Sequence, residues 1–507
     1  MIRIALSCGL LAGFMGAQGV RAADSRPNVL LILGDDHAAY ALSSYGHAVV
    51  KTPNLDRLAA RGARFTHAYC NSPMCTPSRQ SLLTGRMPHA TQVTLLKSAL
   101  GEDETTLAEV LQGAGYRTAA IGKMHFNSKL THGFAERIDQ PDHRTWLQAR
   151  PSAPPADASA TLGPWKPFRD PARVWLNSAA LPYPARAAEM AGSYFAQQAA
   201  ARLQQGDEPL FLIVSFYEPH SPFHFPLEYA GRVAAEALPV PTVGPEDAPQ
   251  IPLIFRDLTD AEKRGIAAAY YTSVQFLDEN VGRVLAALDA SGRADNTLVI
   301  YAGDHGYLLG HHGRFEKHTF YEEAIRAPLM LAWPNHIAAG QQIDELVEFV
   351  DLFPTVVAAC QATLPADRHG KSLLPLVDGS PPAPPLHDAV FGVYGENEEA
   401  MIRTAHWKLI YGSGTRARDD GYATDRPTPG RTVRLYDLAA DPAEMHNLAA
   451  DESQRERVAA LEQRLVERLE ATCRPGQRAP AGLTIEEQLD WYVFPPELRT
   501  VPGSAAR

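Results

Sequence analysis

Two acidic strand ends and one cysteine carry the clearest chemistry in this 507-residue chain. Asp35-Asp36 follows the apolar run "NVLLIL" and a glycine, and Asp304-His305 follows "TLVIYAG". An isolated Asp-Asp pair in that position reads as an exposed turn. A second acidic strand end shifts that reading, because three carboxylates and an imidazole at one sheet edge would repel unless a cation held them. Cys75 stands between the two in "NSPMCTPSRQSLLTG", ahead of a short helix that Pro77 can start in its first turn. The free N–H groups and positive end of that helix favour an anion, such as a sulfate or phosphate oxygen, and Arg79 adds a guanidinium one turn on. On these residues three readings of Cys75 stand open: a nucleophilic thiol, which needs a neighbouring base, a disulfide partner of Cys70, or the precursor of another group.

The elements that must position these groups alternate along the chain. Apolar runs at 28–33, 116–121, 210–216 and 297–301 read as strands buried on both faces. Helical patterns fall at 53–61, opened by Pro53 and followed by Gly62, at 105–112 with Thr105 or Thr106 as cap, at 187–203 and at 260–288. Charged or imidazole residues repeatedly follow the strand ends: Lys123 and His125 the second, His220 the third, Asp304 the fourth. This predicts an α/β fold with a large, mixed, mostly parallel sheet sandwiched by helices. Residues 141–184, rich in Pro, Ala, Arg and Trp without a clear period, read as loops over the sheet edge. From about 387 the rhythm changes to short strands at 389–394, 400–411 and 432–436, then a helix at 452–471, which predicts a smaller antiparallel sheet with one helix.

Length makes a large domain with a smaller companion the default. Apolar and charged shares of 45% and 21% are those of a globular protein, and a net charge of -11 without acidic or basic blocks gives no reason to expect a nucleic-acid partner. Residues 1–23, with Arg3, an apolar stretch and a Val-Arg-Ala ending, read as a secretory signal cut near Ala22 or Ala23; the apolar run is short of the roughly 20 residues a spanning helix needs. A periplasmic or secreted protein without a stable membrane anchor is expected. Cys8 leaves with the signal, and Cys70, Cys75, Cys360 and Cys473 are too sparse for a disulfide framework. Some motifs fail on inspection. Gly113-Ala114-Gly115 precedes a strand where a dinucleotide loop would follow one, and Gly370-Lys371-Ser372 has Pro365 where a phosphate loop needs its first glycine. His311, His312 and His318 share a Gly-rich loop without helical spacing and read as loop or pocket residues rather than a zinc cluster.

The run Cys75-Thr76-Pro77-Ser78-Arg79, trailed by Leu82-Leu83-Thr84-Gly85, resembles the signature of the type I sulfatases of the alkaline-phosphatase-like superfamily. The resemblance extends in matching order from Arg26 to about Leu448, through "RPNVLLILGDDH", "TPNLDRLAARGARFTHAY", "AAIGKMHF", "YAGDHGYLLGHHG", "KHTFYEEAIRAPLML" and "LYDLAADPAEMHNLA". It implies hydrolysis of a sulfate ester, with a phosphonate or phosphate monoester hydrolase of the same superfamily as the alternative. It implies a catalytic domain over 24–386 and a C-terminal subdomain and tail over 387–507. Cys75 would be oxidised by a dedicated maturation enzyme to formylglycine, whose hydrate attacks sulfur. Asp35, Asp36, Asp304 and His305 match the metal ligands, with the modified Cys75 completing the shell. His at 305, where most of the family has Asn, matches the iduronate-sulfatase-like branch. Calcium is the family's usual ion, and the imidazole keeps magnesium and manganese open. Lys123 and His125 match the family's Lys-x-His pair, Lys317 its second substrate lysine, and His220, rather than His224, the histidine that approaches the leaving oxygen. Arg79, Lys123 and Lys317 would balance charge on the transferring group, His220 or Lys317 would protonate the leaving alcohol, and His125 would take the hydrate's second proton. A sulfated small molecule or saccharide is the expected substrate. Trp146, Trp165, Arg169 and Trp175 are candidate sugar contacts, although packing is the ordinary use of such Trp side chains.

Overall fold

The computed structural model describes residues 26–150, 186–378, 384–415, 424 and 430–499. The expected signal segment with Cys8, the candidate contacts Trp165, Arg169 and Trp175, and the tail beyond residue 499 lie outside the described residues.

An eight-stranded sheet in the order β4-β3-β5-β1-β6-β7-β2-β8 forms the body. Its strands are β1 (Asn28–Gly34), β2 (Ala63–Tyr69), β3 (Arg117–Gly122), β4 (Glu136–Ile138), β5 (Leu210–Ser215), β6 (Thr297–Gly303), β7 (Leu329–Ala332) and β8 (Gln341–Glu348). Only β7 runs against its neighbours, so the sheet is mixed and mostly parallel, as the alternating pattern predicts. All seven residues of β1 are buried. Val29, Leu31 and Leu33 join one apolar core and Leu30 and Ile32 the other, which is how a period of two reads when helices cover both faces. The helix Leu107–Gly113 starts at Thr106, whose side chain accepts from the Glu109 N–H while Glu109 returns the bond, a capping box worth about 1 kcal/mol.

The second sheet has the order β12-β11-β10-β9, with β9 (Ala389–Tyr394), β10 (Glu399–Thr404), β11 (Trp407–Gly412) and β12 (Thr432–Asp437), all antiparallel. The single run expected at 400–411 is two strands. Thr404 Oγ1 accepts from the Trp407 N–H at 3.0 Å and closes the turn between them. One face of this sheet packs on the helices Arg455–Thr472 and Ile485–Val493 through Ile402, Leu409, Leu465 and Leu489. The second of these helices goes beyond the one expected. Met401, Ile410 and Tyr436 on the other face enter the main core, so the two sheets share apolar packing.

The loop reading of 141–184 also needs correction at its start. Residues Gln140–Gln148 form a helix, because Asp139 and Asp142 make a capping box and Pro141 suits the first turn. Trp146 on this helix packs beside His143 and Tyr194, which is a packing role.

Candidate active site

Sheet register sets the first coordinates of the site. Gly34 of β1 lies opposite Gly303 of β6, and Gly122 of β3 opposite Ser215 of β5. Residues 35–36, 304–305, 123–125 and 216–220 therefore leave the sheet at one C-terminal edge, where open α/β sheets hold ligands. Gly122 has φ +88°, and a Cβ there would lie 1.9 Å from the Ser215 carbonyl oxygen, so glycine is required for the turn into Lys123. Asp36 and His125 adopt left-handed φ of 62° and 61°, strain that a surrounding structure must impose.

The helix Cys75–Thr84 supplies the remaining parts. All ten of its residues are buried, although it carries Ser78, Arg79 and Gln80, because the sheet edge uses each polar group. Ser78 Oγ donates to the Asp304 carbonyl and Gln80 Nε2 to the His125 carbonyl. Arg79 donates from Nε to Asp304 Oδ2 at 2.9 Å, from Nη2 to Asp35 Oδ1 at 3.1 Å, and from Nη1 to the Lys123 carbonyl and Ser215 Oγ, both at 2.7 Å. No side chain caps this helix, so its first N–H groups stay available around Cys75.

Cys75 Sγ lies 3.2 Å from both His305 Nε2 and Lys317 Nζ, and 3.8 Å from Asp36 Oδ1. Burial would raise the thiol's pKa, but Lys123, Lys317 and His305 outweigh it and hold the thiol well below its usual range, with His125 hydrogen-bonded to it. Lys123 Nζ lies 2.5 Å from Asp35 Oδ2, and Lys317 Nζ 2.5 Å from Asp36 Oδ1. Burial opposes the charge of Asp35, yet Lys123, His220 and Arg79 keep its carboxyl well below the carboxylate range. Burial instead pushes Asp304 up to about 7, against His305 and Arg79. His305 rises to about 9 despite burial, through Asp304 and Cys75.

Asp35, Asp36, Cys75 and His305 each place a ligand-type atom within 4.8 Å of the others. Asp304 stands beside this group, its Oδ2 3.6 Å from His305 Nε2, while its Oδ1 accepts from the backbone N–H groups of Asp36 and His305. Asp36 Oδ2 is buried without a hydrogen-bond partner. A compact set of carboxylates, a sulfur and an imidazole with an orphaned carboxylate oxygen fits a divalent cation.

An open cavity of about 1100 Å³ lies over these atoms and is lined by Asp36, Cys75, Lys123, His125, His220 and Lys317, among others. His220 lines it and His224 does not; the His224 carbonyl instead accepts from Ser273 Oγ. Arg79 is 2% exposed and does not line the cavity; it reaches the wall residue Lys123 through its carbonyl. His318 is on the wall, whereas His311 and His312 face Glu323 and Asp247. Cys70 is a free thiol, as is Cys75, so the disulfide reading of this pair does not hold here.

Two contributors escaped the sequence reading. Ser215, which anchors Arg79, had one visible signal: it is the lone polar residue in the apolar run "LFLIVS". Glu396, from the turn between β9 and β10, lines the cavity and accepts from the Leu96 N–H at 3.1 Å. Nothing local marks a glutamate in a distant hairpin as part of this wall.

The sulfatase family profile matches residues 27–362, and the profile of the C-terminal part of N-sulphoglucosamine sulphohydrolase matches 310–471. An N-acetylglucosamine-6-O-sulfatase of Bacteroides thetaiotaomicron is 28% identical over 489 residues, covering 83% of this chain and 82% of that protein. Human arylsulfatase A is 30% identical over 462 residues, covering 83% of each. The crystal structure of a phosphonate monoester hydrolase of Agrobacterium radiobacter superposes with a TM-score of 0.74 at 27% identity, covering 87% of this chain and 95% of that one. With one profile spanning the whole eight-stranded sheet and a relative 30% identical across most of the chain, this protein belongs to the sulfatase family and is a sulfuric ester hydrolase.

Proposed function

We propose that this sulfatase removes sulfate from a sulfated carbohydrate outside the cytoplasm, using a formylglycine made from Cys75 and a divalent cation held by Asp35, Asp36, Asp304 and His305. The observation that carries the reading is the seat of Cys75: a buried thiol at an uncapped helix start, 3.2 Å from an ammonium and from an imidazole, under an open cavity. The cations around it and the free N–H groups of the helix start suit an anionic oxygen at this position.

When present, the cation and the formylglycine would supply positive charge at the sulfate oxygens and a nucleophilic oxygen that can later release sulfate. Calcium suits the carboxylates, and His305 keeps magnesium and manganese in play. The chain's own residues do the rest. Lys123 and Lys317 flank the thiol position and hold sulfate oxygens, a charge-balancing task like that in phosphoryl transfer. Asp36 and Cys75 keep Lys317 charged against the pull of burial, which suits it to hold charge rather than to give up a proton. His220 Nδ1 donates to the Ser221 carbonyl at 2.5 Å, which turns Nε2 toward Asp36 and the cavity, and with a second proton on Nε2 the ring is the donor to the leaving alcohol oxygen. His125, hydrogen-bonded to Cys75 and with its Nδ1 buried without a partner, takes a proton from the nucleophilic residue. Arg79 is a positioning residue that fixes Asp35 and Asp304.

The carbohydrate substrate is supported by the names of the N-acetylglucosamine-6-O-sulfatase relative and of the C-terminal profile. The cavity rim, with Lys97, Lys129 and Arg137, suits an anionic saccharide. The signal reading of 1–23 and the division at 386/387 belong to the same proposal, as does a maturation enzyme acting on Cys75. No helix among the described residues is long and apolar enough to cross a membrane.

Likeness to the Agrobacterium radiobacter enzyme favours one second reading, phosphonate monoester hydrolysis. Rates on sulfated mono- and disaccharides, 4-nitrophenyl sulfate and phenylphosphonate esters separate the two. Sulfate release from a saccharide with weak phosphonate turnover is expected, and the reverse ranking overturns the carbohydrate reading. Mass spectrometry of tryptic peptide 65–79 tests the maturation. Loss of the thiol to an aldehyde is expected, and an intact thiol in active protein sinks it.

A further inference from the structure

A second group of buried donors lies away from Cys75, where the loop after β6, the short helix Glu322–Ile325 and the segment after β12 meet. His312, Glu323 and Glu444 each place one ligand-type atom within 4.8 Å of the other two. In each residue the other polar atom is already engaged. His312 Nδ1 lies 3.0 Å from Asp247 Oδ1, Glu323 Oε1 lies 3.2 Å from His311 Nδ1, and Glu444 Oε2 accepts from the Glu322 N–H at 2.7 Å. Of the atoms left over, His312 Nε2 and Glu323 Oε2 are buried and without a hydrogen-bond partner, and Glu444 Oε1 meets the Lys408 ammonium.

His312 itself is 1% exposed, and its Nε2 points at Glu323 Oε2 from 3.8 Å. With the Nδ1 proton donated to Asp247, Nε2 carries the lone pair. This carboxylate–imidazole order is the one that orients metal-binding histidines. Lys408 already brings positive charge, its Nζ 2.6 Å from Glu444 Oε1, but it leaves the imidazole lone pair and Glu323 Oε2 unanswered.

We propose that His312, Glu323 and Glu444 form a second divalent-cation site, separate from the one at Cys75, that takes an ion of the zinc type. One imidazole nitrogen and two carboxylate oxygens suit zinc better than calcium, which prefers oxygen alone. Around zinc, donors at about 2.1 Å sit roughly 3.5 Å apart, so the group must contract slightly. Glu323, whose side chain is 15% exposed, is the member free to move in. It also lines a cavity of about 260 Å³, which leaves room for a water or small ligand in the fourth position. His312 lies in the loop between Asp304 and Lys317, while Glu444 follows the second sheet. A cation here would tie the C-terminal part to the loop that delivers two active-site residues.

The test uses the full chain, stripped with EDTA, loaded with zinc alone, desalted and assayed for zinc per chain by elemental mass spectrometry. Wild type is expected to keep one more zinc than Glu323→Gln or His312→Asn, and Asp36→Asn is expected to keep the zinc those variants lose. Zinc should also raise the thermal midpoint of wild type and Asp36→Asn, but not of Glu323→Gln. Equal zinc content in wild type and Glu323→Gln, or loss in Asp36→Asn alone, overturns the proposal. Should the variants fail to fold, anomalous diffraction at the zinc edge from wild-type crystals decides. A peak at bonding distance from His312 Nε2 supports the site, and its absence at saturating zinc overturns it.

Discussion

The chain buries charge in two places and treats it differently. Around Cys75, three carboxylates and a thiol meet Arg79, Lys123 and Lys317 beneath an open cavity. Around Lys408, Glu322 and Glu444 meet one fully buried ammonium between the second sheet and the body. The first group sits on loops at the ends of parallel strands, and the ammonium of the second on β11 itself. In the first, donors and acceptors are left over for a ligand under a wide cavity; in the second, Lys408 serves two carboxylates and holds two parts of the fold together, and Glu444 also faces His312 and Glu323. Buried charge under a wide cavity is available for chemistry, whereas an ammonium without solvent access, as at Lys408, mainly sets stability.

The largest effect should come from the residue on the cavity floor. Cys75→Ala is expected to lower kcat by on the order of 10⁴-fold or more, as loss of a nucleophile does, with little change in thermal midpoint. Steady-state rates on the best sulfated saccharide, beside a melting curve, check both halves. A large loss of stability would mean that the thiol holds the fold as well.

Lys408→Ala is the mirror experiment. Its ammonium is 0% exposed and lies 3.1 Å from Glu322 and 2.6 Å from Glu444. Removing one partner of a buried pair leaves charge uncompensated, so a loss of about 3–5 kcal/mol is expected in urea unfolding. Activity of the protein that remains folded should change far less than in Cys75→Ala. Lys408→Met, which keeps the apolar stem, should lose stability too if charge rather than volume is at stake.

The sequence made the first region legible and hid the second for a physical reason. The Cys75 group announces itself because parallel strands end in glycine and then charge: Gly34 before Asp35, Gly122 before Lys123, Gly303 before Asp304. Register then guarantees that these ends coincide. In "WKLIYG", by contrast, Lys408 alternates with Trp407 and Leu409 as a solvent-facing residue of a two-faced sheet would. That face is buried against the body, since Ile410 and Met401 on the same side enter the main core. Whether a polar face meets water or another layer is a tertiary fact that local alternation does not encode. The split of 400–411 into two strands and the helix Gln140–Gln148 were missed for smaller reasons, a Thr404 turn bond and an Asp139 cap.

Glu444 gives the comparison a pH axis. Burial, against the pull of Lys408, pushes its carboxyl from an ordinary 4.5 up to about 7. The folded state therefore holds a proton that the unfolded chain releases between these values. The stability this contributes is full below about pH 4.5 and is lost as pH rises through 7, at most about 3 kcal/mol. In EDTA, wild type should weaken across that window relative to Glu444→Gln, measured by urea unfolding at stepped pH. Parallel curves would mean that Glu444 stays ionised beside Lys408. Zinc should flatten the wild-type slope if the second cation site exists, because a bound cation favours the carboxylate.

The smallest effect belongs to an ion pair of similar chemistry at the surface beside the same antiparallel sheet. Arg431 Nε lies 2.8 Å from Asp490 Oδ2, but the two side chains are 42% and 29% exposed. Water solvates both charges after the pair is broken, and Asp490 Oδ1 still accepts from Tyr411 Oη at 2.6 Å. Arg431→Ala should therefore cost under about 1 kcal/mol, with the difference shrinking further in high salt. Measured beside Lys408→Ala under one set of conditions, it isolates burial as the variable, since each variant removes one cation of the antiparallel-sheet region from its carboxylate partners. If the surface variant cost as much as the buried one, number of partners rather than desolvation would explain Lys408, and the contrast between the two charged regions would have to be redrawn on geometry alone.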